Sequence, residues 1–253
     1  MTDLKDKIVL VTGASAGIGE ATVRKFSAAG AKIIAVARRA DRLGKLNQEM
    51  PDRIYPIELD VRNRGAVEKA IAGLPTAWKE IDILVNNAGL SRGLWKLHEG
   101  DPDGWDQMID TNIKGLLYVS RAVIPGMVER GRGHVINIGS IAGHELYPAG
   151  NVYCSTKFAV RALTRGMLMD LVDTPVRVTA IDPGLVETEF SDVRFYGDTE
   201  RAKTVYQGYK PLEADDVAEA IVWSASRPAH VQVADMVILP TAQAGSMIVY
   251  KEI

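Results

Sequence analysis

Ile8-Val9-Leu10-Val11-Thr12-Gly13-Ala14-Ser15-Ala16-Gly17-Ile18-Gly19 is an apolar run that breaks into glycines, and Glu20 to Ala29 then alternate apolar and polar faces at helical spacing. Continuous aliphatics from Ile8 to Val11 mark a buried strand. Gly13, Gly17 and Gly19 mark a tight turn, and the amphipathic stretch predicts a helix beginning near Gly17. Strand, glycine-rich turn and helix in that order open a parallel, alternating α/β sheet. The turn lets backbone approach a ligand closely, and the helix start offers unpaired N–H groups and a positive dipole end to a pyrophosphate. Ser15 and Ile18 sit within this turn. A glycine-rich connection without a ligand is the plainer alternative, and the flanking strand and helix weigh against it. The spacing, Gly-x-x-x-Gly-x-Gly, departs from the Gly-x-Gly-x-x-Gly dinucleotide fingerprint.

Working outward, Lys32–Val36 predicts a second strand, followed by Ala37-Arg38-Arg39. In such a unit an acidic residue about 20 positions past the glycines bonds the adenosine ribose 2′-hydroxyl. Ala37 stands in that place. Without the carboxylate nothing repels a 2′-phosphate, and Arg38 and Arg39 can bind one bidentately, with Ser15 adding a hydroxyl. NADP is therefore expected over NAD; the alternative is that both arginines open a solvated helix face. Ile54–Leu59 predicts a third strand ending at Asp60-Val61, where open α/β sheets place ligand-contacting residues. Asp60 either accepts from the adenine amino group or caps the next helix near Asn63. A helix around Arg64–Ala77 and a strand at Ile81–Val85 lead to Asn86-Asn87-Ala88-Gly89. Amides and glycine are unfavourable in a strand, so this end suggests close backbone approach to a ligand at Asn87, Ala88 and Gly89. Asn87 also suits pinning neighbouring strands, and the two roles are compatible.

The second half carries the reactive side chains. A helical region from about Asp103 to Arg130 contains Asn112 and is expected to be interrupted at Pro125. Strand His134–Ile138 ends in Gly139-Ser140, which puts Ser140 at a strand's carboxyl end. Tyr153-Cys154-Ser155-Thr156-Lys157 sets a phenol and an ammonium one helical turn apart. The positive charge is expected to lower the tyrosine pKa from about 10 and make it a general acid/base. Tyr-x-x-x-Lys alone recurs in many helices; its weight comes from the surrounding pattern. Cys154 points elsewhere around the helix and has no base partner, so a packing role is expected. Strand Val176–Ile181 leads to Asp182-Pro183-Gly184 and Val186-Glu187-Thr188.

The 253 residues are 47% hydrophobic and 25% charged with a net charge of −2, an ordinary soluble composition with no basic field for nucleic acid or anionic membrane. One cysteine cannot form an internal disulfide, which suits a reducing, cytoplasmic setting. The opening MTDLKDKIVLVTG enters a strand almost at once, leaving no room for a cleavable signal. No apolar run approaches the roughly 20 residues of a membrane span. Neither a nucleic-acid nor a membrane partner is expected, nor a metal.

From about Lys7 to Pro240 the chain resembles the short-chain dehydrogenase/reductase family. The resemblance rests on Thr12-Gly-x-x-x-Gly-Ile-Gly19, Asp60, Asn86-Asn-Ala-Gly89, Asn112, Ser140, Tyr153-x-x-x-Lys157 and Pro183-Gly184. It implies one Rossmann-like domain over residues 1–253, with a seven-stranded, doubly wound parallel sheet, helices on both faces, and a homotetramer. It implies that Tyr153 transfers the proton while Ser140 holds the substrate oxygen. Lys157 lowers the tyrosine pKa and bonds the nicotinamide ribose, and Asn112 distorts its helix and completes a proton relay. Pro183, Gly184, Val186 and Thr188 are implied to lie over the nicotinamide. A basic residue before the second glycine, common in NADP-preferring members, is absent here, where Ala16 stands.

A narrower likeness covers Pro183–Ser191, Val193–Asp198 and Arg227–Val231. It points to the subgroup of NADP-dependent dehydrogenases acting on serine, allo-threonine and other 3-hydroxy acids, with malonic semialdehyde and sulfoacetaldehyde reductases alike. The expected substrate is a small anionic carbonyl or hydroxy compound. Its anion needs a cation or several N–H donors. Arg194 is the leading candidate, with Arg92 and His144 behind it and Tyr147 shaping the pocket; each arginine alone also reads as a surface charge. Residues 188–210 are expected to form a substrate lid. The tail 241–253, apolar at Met247-Ile248-Val249-Tyr250, is expected to pack on a neighbouring subunit near its active site, with fraying as the alternative. Two other functions stay open, a broad ketone or steroid-type reductase and a non-catalytic nucleotide sensor.

Overall fold

Seven strands lie side by side, all parallel, with the first strand near the middle. The computed structural model describes residues 3–252; Met1, Thr2 and Ile253, the ends of the expected 1–253 unit and of its tail, lie outside the described residues. In chain order the elements are β1 (Ile8–Thr12), α1 (Gly17–Ala28), β2 (Lys32–Ala37), α2 (Ala40–Glu49), β3 (Ile54–Glu58), α3 (Arg64–Ala72) and β4 (Ile83–Asn86). There follow α4 (Pro102–Ile109), α5 (Leu116–Glu129), β5 (Gly133–Ile138), α6 (Asn151–Asp170) and β6 (Val176–Pro183). The chain closes with β7 (Val186–Glu187), α7 (Phe190–Arg194), α8 (Thr199–Thr204), β8 (Leu212–Glu213), α9 (Ala214–Ala225) and β9 (Asp235–Ile238). The sheet order is β3-β2-β1-β4-β5-β6-β9, with β7 and β8 paired separately. The chain winds outward through β3 and then crosses back to β4, so β1 and β4 flank the switch point where such sheets hold ligands.

Alternation along the strands builds the two layers. Val9 and Val11 share one core with Ile33, Ile136 and Ile181, against Val23 and Phe26 of α1 and Val217 and Ile221 of α9. Leu10 joins the other with Ile34, Leu84, Val135 and Val178, against Val67 of α3 and Val119, Val123 and Met127 of α5. A sheet covered on both faces needs strands apolar at every position, which is why the Ile8–Val11 pattern is unbroken.

Two helical expectations are corrected. The helix begun at Arg64 ends at Ala72, not Ala77: Gly73 caps it through its N–H to the Lys69 carbonyl, and Pro75 disfavours helical geometry at Leu74. Thr76–Trp78 is a separate short turn. The region 102–129 is interrupted at Asp110–Gly115, a widened π-type turn containing Asn112, and not at Pro125. Asn112 is drawn out of register by its bonds to the Leu90 backbone: Oδ1 accepts from Leu90 N at 2.9 Å and Nδ2 donates to Leu90 O at 2.9 Å. Pro125 sits on the exposed face of α5 with Arg121, one turn before it, so the helix continues through it.

The tail is not frayed. Tyr250 N bonds the Ala242 carbonyl, Glu252 N bonds Gly208, and Ser246 N bonds Glu145, so it folds onto its own chain. Among the described residues no helix is long and apolar enough to cross a membrane.

Candidate active site

The carboxyl ends of the central strands meet at a cavity of about 650 Å³. Gly13 (φ +68°) and Gly17 (φ +51°) take left-handed backbone there. A Cβ at Gly13 would stand 2.8 Å from Asn87 Nδ2, so glycine is what lets the turn touch the end of β4. Thr12 Oγ1 accepts from the N–H groups of Asn87 and Ala88, both at 3.0 Å, and Asn87 Nδ2 donates to Thr12 O at 2.9 Å. Asn87 therefore pins β1 to β4 while also lining the cavity. Gly19 does not line it; a Cβ there would collide with the Gly13 carbonyl, so this glycine packs helix against turn. No side chain caps α1, whereas Asn63 caps α3 and Asp101 caps α4. An open helix start, backbone that tolerates no Cβ and nearby guanidinium groups fit a phosphate-bearing ligand.

Ser15, Ile18, Arg38, Arg39, Asp60, Val61, Ala88 and Gly89 also line this cavity, as do Pro183, Gly184, Val186 and Thr188 from the β6 side. Arg39 Nε donates to Ser15 Oγ at 3.1 Å, bringing together two residues expected to share a 2′-phosphate. Asp60 is held by Arg62 at 2.6 Å, and the Arg62 hydrogen bond keeps its carboxyl below the usual range. It does not cap α3; the cap is Asn63, whose Oδ1 accepts from Ala66 N at 3.0 Å.

At the reactive end Ser140, Tyr153 and Lys157 are buried and line the cavity together. Ser140 Oγ accepts from Ala142 N at 3.1 Å, which fixes its rotamer at the start of a short turn. The expected lowering of the tyrosine pKa is corrected. Burial raises it, opposed chiefly by the charge of Arg194 and then by Ser140. Lys157 Nζ lies 5.9 Å from the Tyr153 ring centroid and donates to the Ile138 carbonyl at 2.9 Å. Burial pulls Lys157 down to about 8, with the Asp182 charge acting against the fall. Asn112 lies behind the cavity, where Nδ2 donates to Thr156 Oγ1 at 3.0 Å, joining the Leu90 loop to the turn before Lys157. Cys154 is fully buried, and burial raises its thiol pKa, consistent with packing.

The structure separates the four substrate candidates. Arg194 and Tyr147 line the cavity; Arg92 and His144 do not. The Arg194 guanidinium carbon lies 5.4 Å from the Tyr153 ring centroid and 5.2 Å from that of Phe190, and Nη2 donates to the Tyr147 hydroxyl at 3.3 Å. Its Nε is buried without a hydrogen-bond partner among the described residues. Arg92 instead donates to Gln107 Oε1 at 3.0 Å and to the Val193 carbonyl at 2.6 Å, and Gly93 N bonds the Arg194 carbonyl at 2.8 Å. Arg92 thus braces the segment that presents Arg194. His144 Nε2 lies 2.6 Å from Asp182 Oδ2, and burial of Asp182 brings that carboxyl up to about 6 against the pull of His144.

Several participants escaped the sequence reading. Arg42 Nη1 donates to Glu189 at 2.7 Å, and the i,i+3 spacing from Arg39 was its only signal. Phe190 meets the Tyr153 ring edge-on at 5.7 Å. Gln243, Ser246 and Met247 of the tail line this chain's own cavity, whereas the apolar run Met247–Tyr250 suggests only a neighbouring subunit's site.

The model of the short chain dehydrogenase family matches residues 7–196. NADP-dependent 3-hydroxy acid dehydrogenase YdfG of Escherichia coli K12 is 52% identical over 237 residues, covering 93% of this chain and 96% of the relative. Serine 3-dehydrogenase of Rhizobium radiobacter is 42% identical over 245 residues, covering 96% and 98%. The closed form of serine dehydrogenase complexed with NADP+ superposes with a TM-score of 0.94 at 50% identity, covering 97% of this chain and 99% of that one.

Proposed function

The chain belongs to the short-chain dehydrogenase family, and from that premise we propose that it is an NADP(H)-dependent oxidoreductase interconverting a small anionic carbonyl compound and its hydroxy form. The favoured substrates are 3-hydroxy acids and serine-like compounds, a reading supported by the names of the relatives at 52% and 42% identity. Malonic semialdehyde and sulfoacetaldehyde share the design of an anion one or two carbons from the carbonyl.

One observation carries the substrate reading. Arg194 reaches the cavity beside Tyr153, 5.4 Å from its ring, with a buried Nε that has no hydrogen-bond partner among the described residues. A guanidinium so placed pairs with a carboxylate or sulfonate while the neighbouring carbon meets the phenol. Tyr147 and Phe190 bracket the same group, one through a hydrogen bond and the other through its ring face.

The division of labour follows from the side chains. Bound NADPH supplies the hydride that reduces the carbonyl. Tyr153, kept protonated by burial, gives its phenolic proton to the developing alkoxide, and takes one back in oxidation. Ser140, which lines the cavity with that phenol, donates to the same oxygen and steadies its charge. Lys157 holds a proton close behind, and Asn112 fixes the α6 turn that carries it and completes the relay. Arg38, Arg39 and Ser15 receive the adenosine 2′-phosphate. Residues 188–210 act as a lid, and the copies assemble as a homotetramer.

The test is oxidation of NADPH by malonic semialdehyde, sulfoacetaldehyde and an uncharged aldehyde of equal length, with NADH as cofactor control. The account expects one anionic aldehyde to be favoured at least about tenfold in kcat/KM, the worth of one charge-assisted hydrogen bond. Equal rates with the uncharged aldehyde would remove the anion pocket and favour a broad ketone reductase.

A further inference from the structure

Glu189 connects the two ends of the cavity. It follows Thr188, whose side chain faces Gly17, and it immediately precedes α7, whose last residue is Arg194. Its carboxylate accepts from Arg39 Nη1 at 2.9 Å and from Arg42 Nη1 at 2.7 Å, one oxygen each. Arg39 and Glu189 both line the cavity, and Arg39 Nε is bonded to Ser15 Oγ at 3.1 Å. The guanidinium assigned to a 2′-phosphate is therefore already engaged by a carboxylate of this chain.

The side chains of Arg39, Arg42 and Glu189 are 43%, 37% and 45% exposed, so these pairs are solvent-screened and individually weak. A phosphate with nearly two negative charges and three acceptor oxygens competes well for such a guanidinium. It cannot share Arg39 with Glu189 without bringing two anions together, and like charges at contact distance repel.

We propose that Glu189 is a specificity-determining residue for the cofactor, an internal anion that competes with the 2′-phosphate for Arg39 and Arg42 and so lowers affinity for NADP while leaving NAD unaffected. The inference rests on the NADP reading above. Its consequence is that the phosphorylated cofactor is bound less tightly than the arginines alone would allow, and is released faster after turnover. Because the competing anion is joined directly to α7, its displacement also loosens the anchor of the segment that carries Arg194.

The experiment measures dissociation constants for NADP+ and NAD+ on the intact enzyme, by fluorescence titration at low and high salt, for the wild type, Glu189→Gln and Glu189→Asp. Glu189→Gln should bind NADP+ about three- to tenfold more tightly, with the gain shrinking at high salt, while NAD+ changes less than about twofold. Glu189→Asp keeps the charge and should stay within about twofold of the wild type for both cofactors. Adding Glu189→Gln to Arg39→Ala should bring less gain than it brings alone, since the contested guanidinium is gone. Unchanged or weaker NADP+ binding in Glu189→Gln would overturn the proposal, and so would equal shifts for the two cofactors, which would mark a structural effect. The wild type's own NADP+ to NAD+ ratio tests the underlying reading separately; no preference there would sink both.

Discussion

Replacing Arg194 by methionine keeps length and apolar packing while removing the guanidinium that lies 5.4 Å from the Tyr153 ring in the cavity. Two effects of different kind should follow. The first is lost recognition. A hydrogen bond from a guanidinium to a charged group is worth about 1.5–3 kcal/mol, and a unit-charge pair at about 4 Å in a partly screened site about 4 kcal/mol. At 1.4 kcal/mol per tenfold, kcat/KM for an anionic substrate should fall between about tenfold and a thousandfold. An uncharged aldehyde makes no such contact and should lose less than about threefold. The second effect is on the phenol. Arg194 supplies the largest influence opposing the burial of Tyr153, so its removal raises the tyrosine pKa further. Oxidation needs the phenolate, so its alkaline rise should move to higher pH in the variant for charged and uncharged substrates alike. The assay is kcat/KM against pH for an anionic and a neutral carbonyl, in both directions. Equal losses on the two substrates would refute the anion-binding role, and an unmoved pH profile would refute the electrostatic one.

Two stability predictions follow from the same burial arguments. Lys157 sits at about 8 instead of 10.5, so the unfolded chain binds more protons between those values and the buried amine costs about 3 kcal/mol at neutral pH, a cost that fades as pH rises toward 10.5. Lys157→Met should therefore lose activity yet melt several degrees higher at pH about 7, after allowing about 1 kcal/mol for the lost bond to Ile138; a lower melting temperature would count against the burial argument. His134 Nε2 lies 2.7 Å from Thr179 Oγ1, and that hydroxyl donates to the Val233 carbonyl, so Nε2 carries the proton and Nδ1 has no partner among the described residues. Burial, then Arg177, holds its pKa well below 6.5, so its contribution is intact above that pH and is lost as pH falls below it. The difference in urea midpoint between wild type and His134→Gln should narrow from pH about 7 to about 5; a widening gap would show that the sign is wrong.

Much of this molecule was legible in its local patterns. The strand-turn-helix of Ile8–Ala28 and the place of Ser140 follow from runs of apolar residues and from what stands at strand ends, while the grouping of Tyr153 and Lys157 with Ser140 around one cavity is what the family resemblance implies. Such features are written in adjacent residues. Tertiary contacts decided the rest. Arg194 ranks ahead of Arg92 in the sequence, but each also reads as a surface charge, and only the fold shows one spent on the Val193 carbonyl and the other facing Tyr153. Pro125 is the conspicuous helix breaker, but the break falls at Asn112, where the family resemblance puts a distortion, because the Leu90 backbone captures its amide. The tyrosine pKa was misjudged because spacing reveals a nearby lysine and does not reveal the burial that outweighs it. Glu189 and its two arginines are about 150 residues apart, and no pattern links them.

The central claim is that Tyr153 moves the proton in a cavity that independently binds the reduced cofactor. Tyr153→Phe removes one oxygen and leaves the ring against Phe190. Its NADPH affinity and its turnover of the best anionic aldehyde should be measured on the same preparation. The account predicts a dissociation constant within about threefold of the wild type and a kcat lower by at least about a hundredfold, the usual worth of a positioned general acid. Turnover close to that of the wild type, with the cofactor still bound, would contradict it.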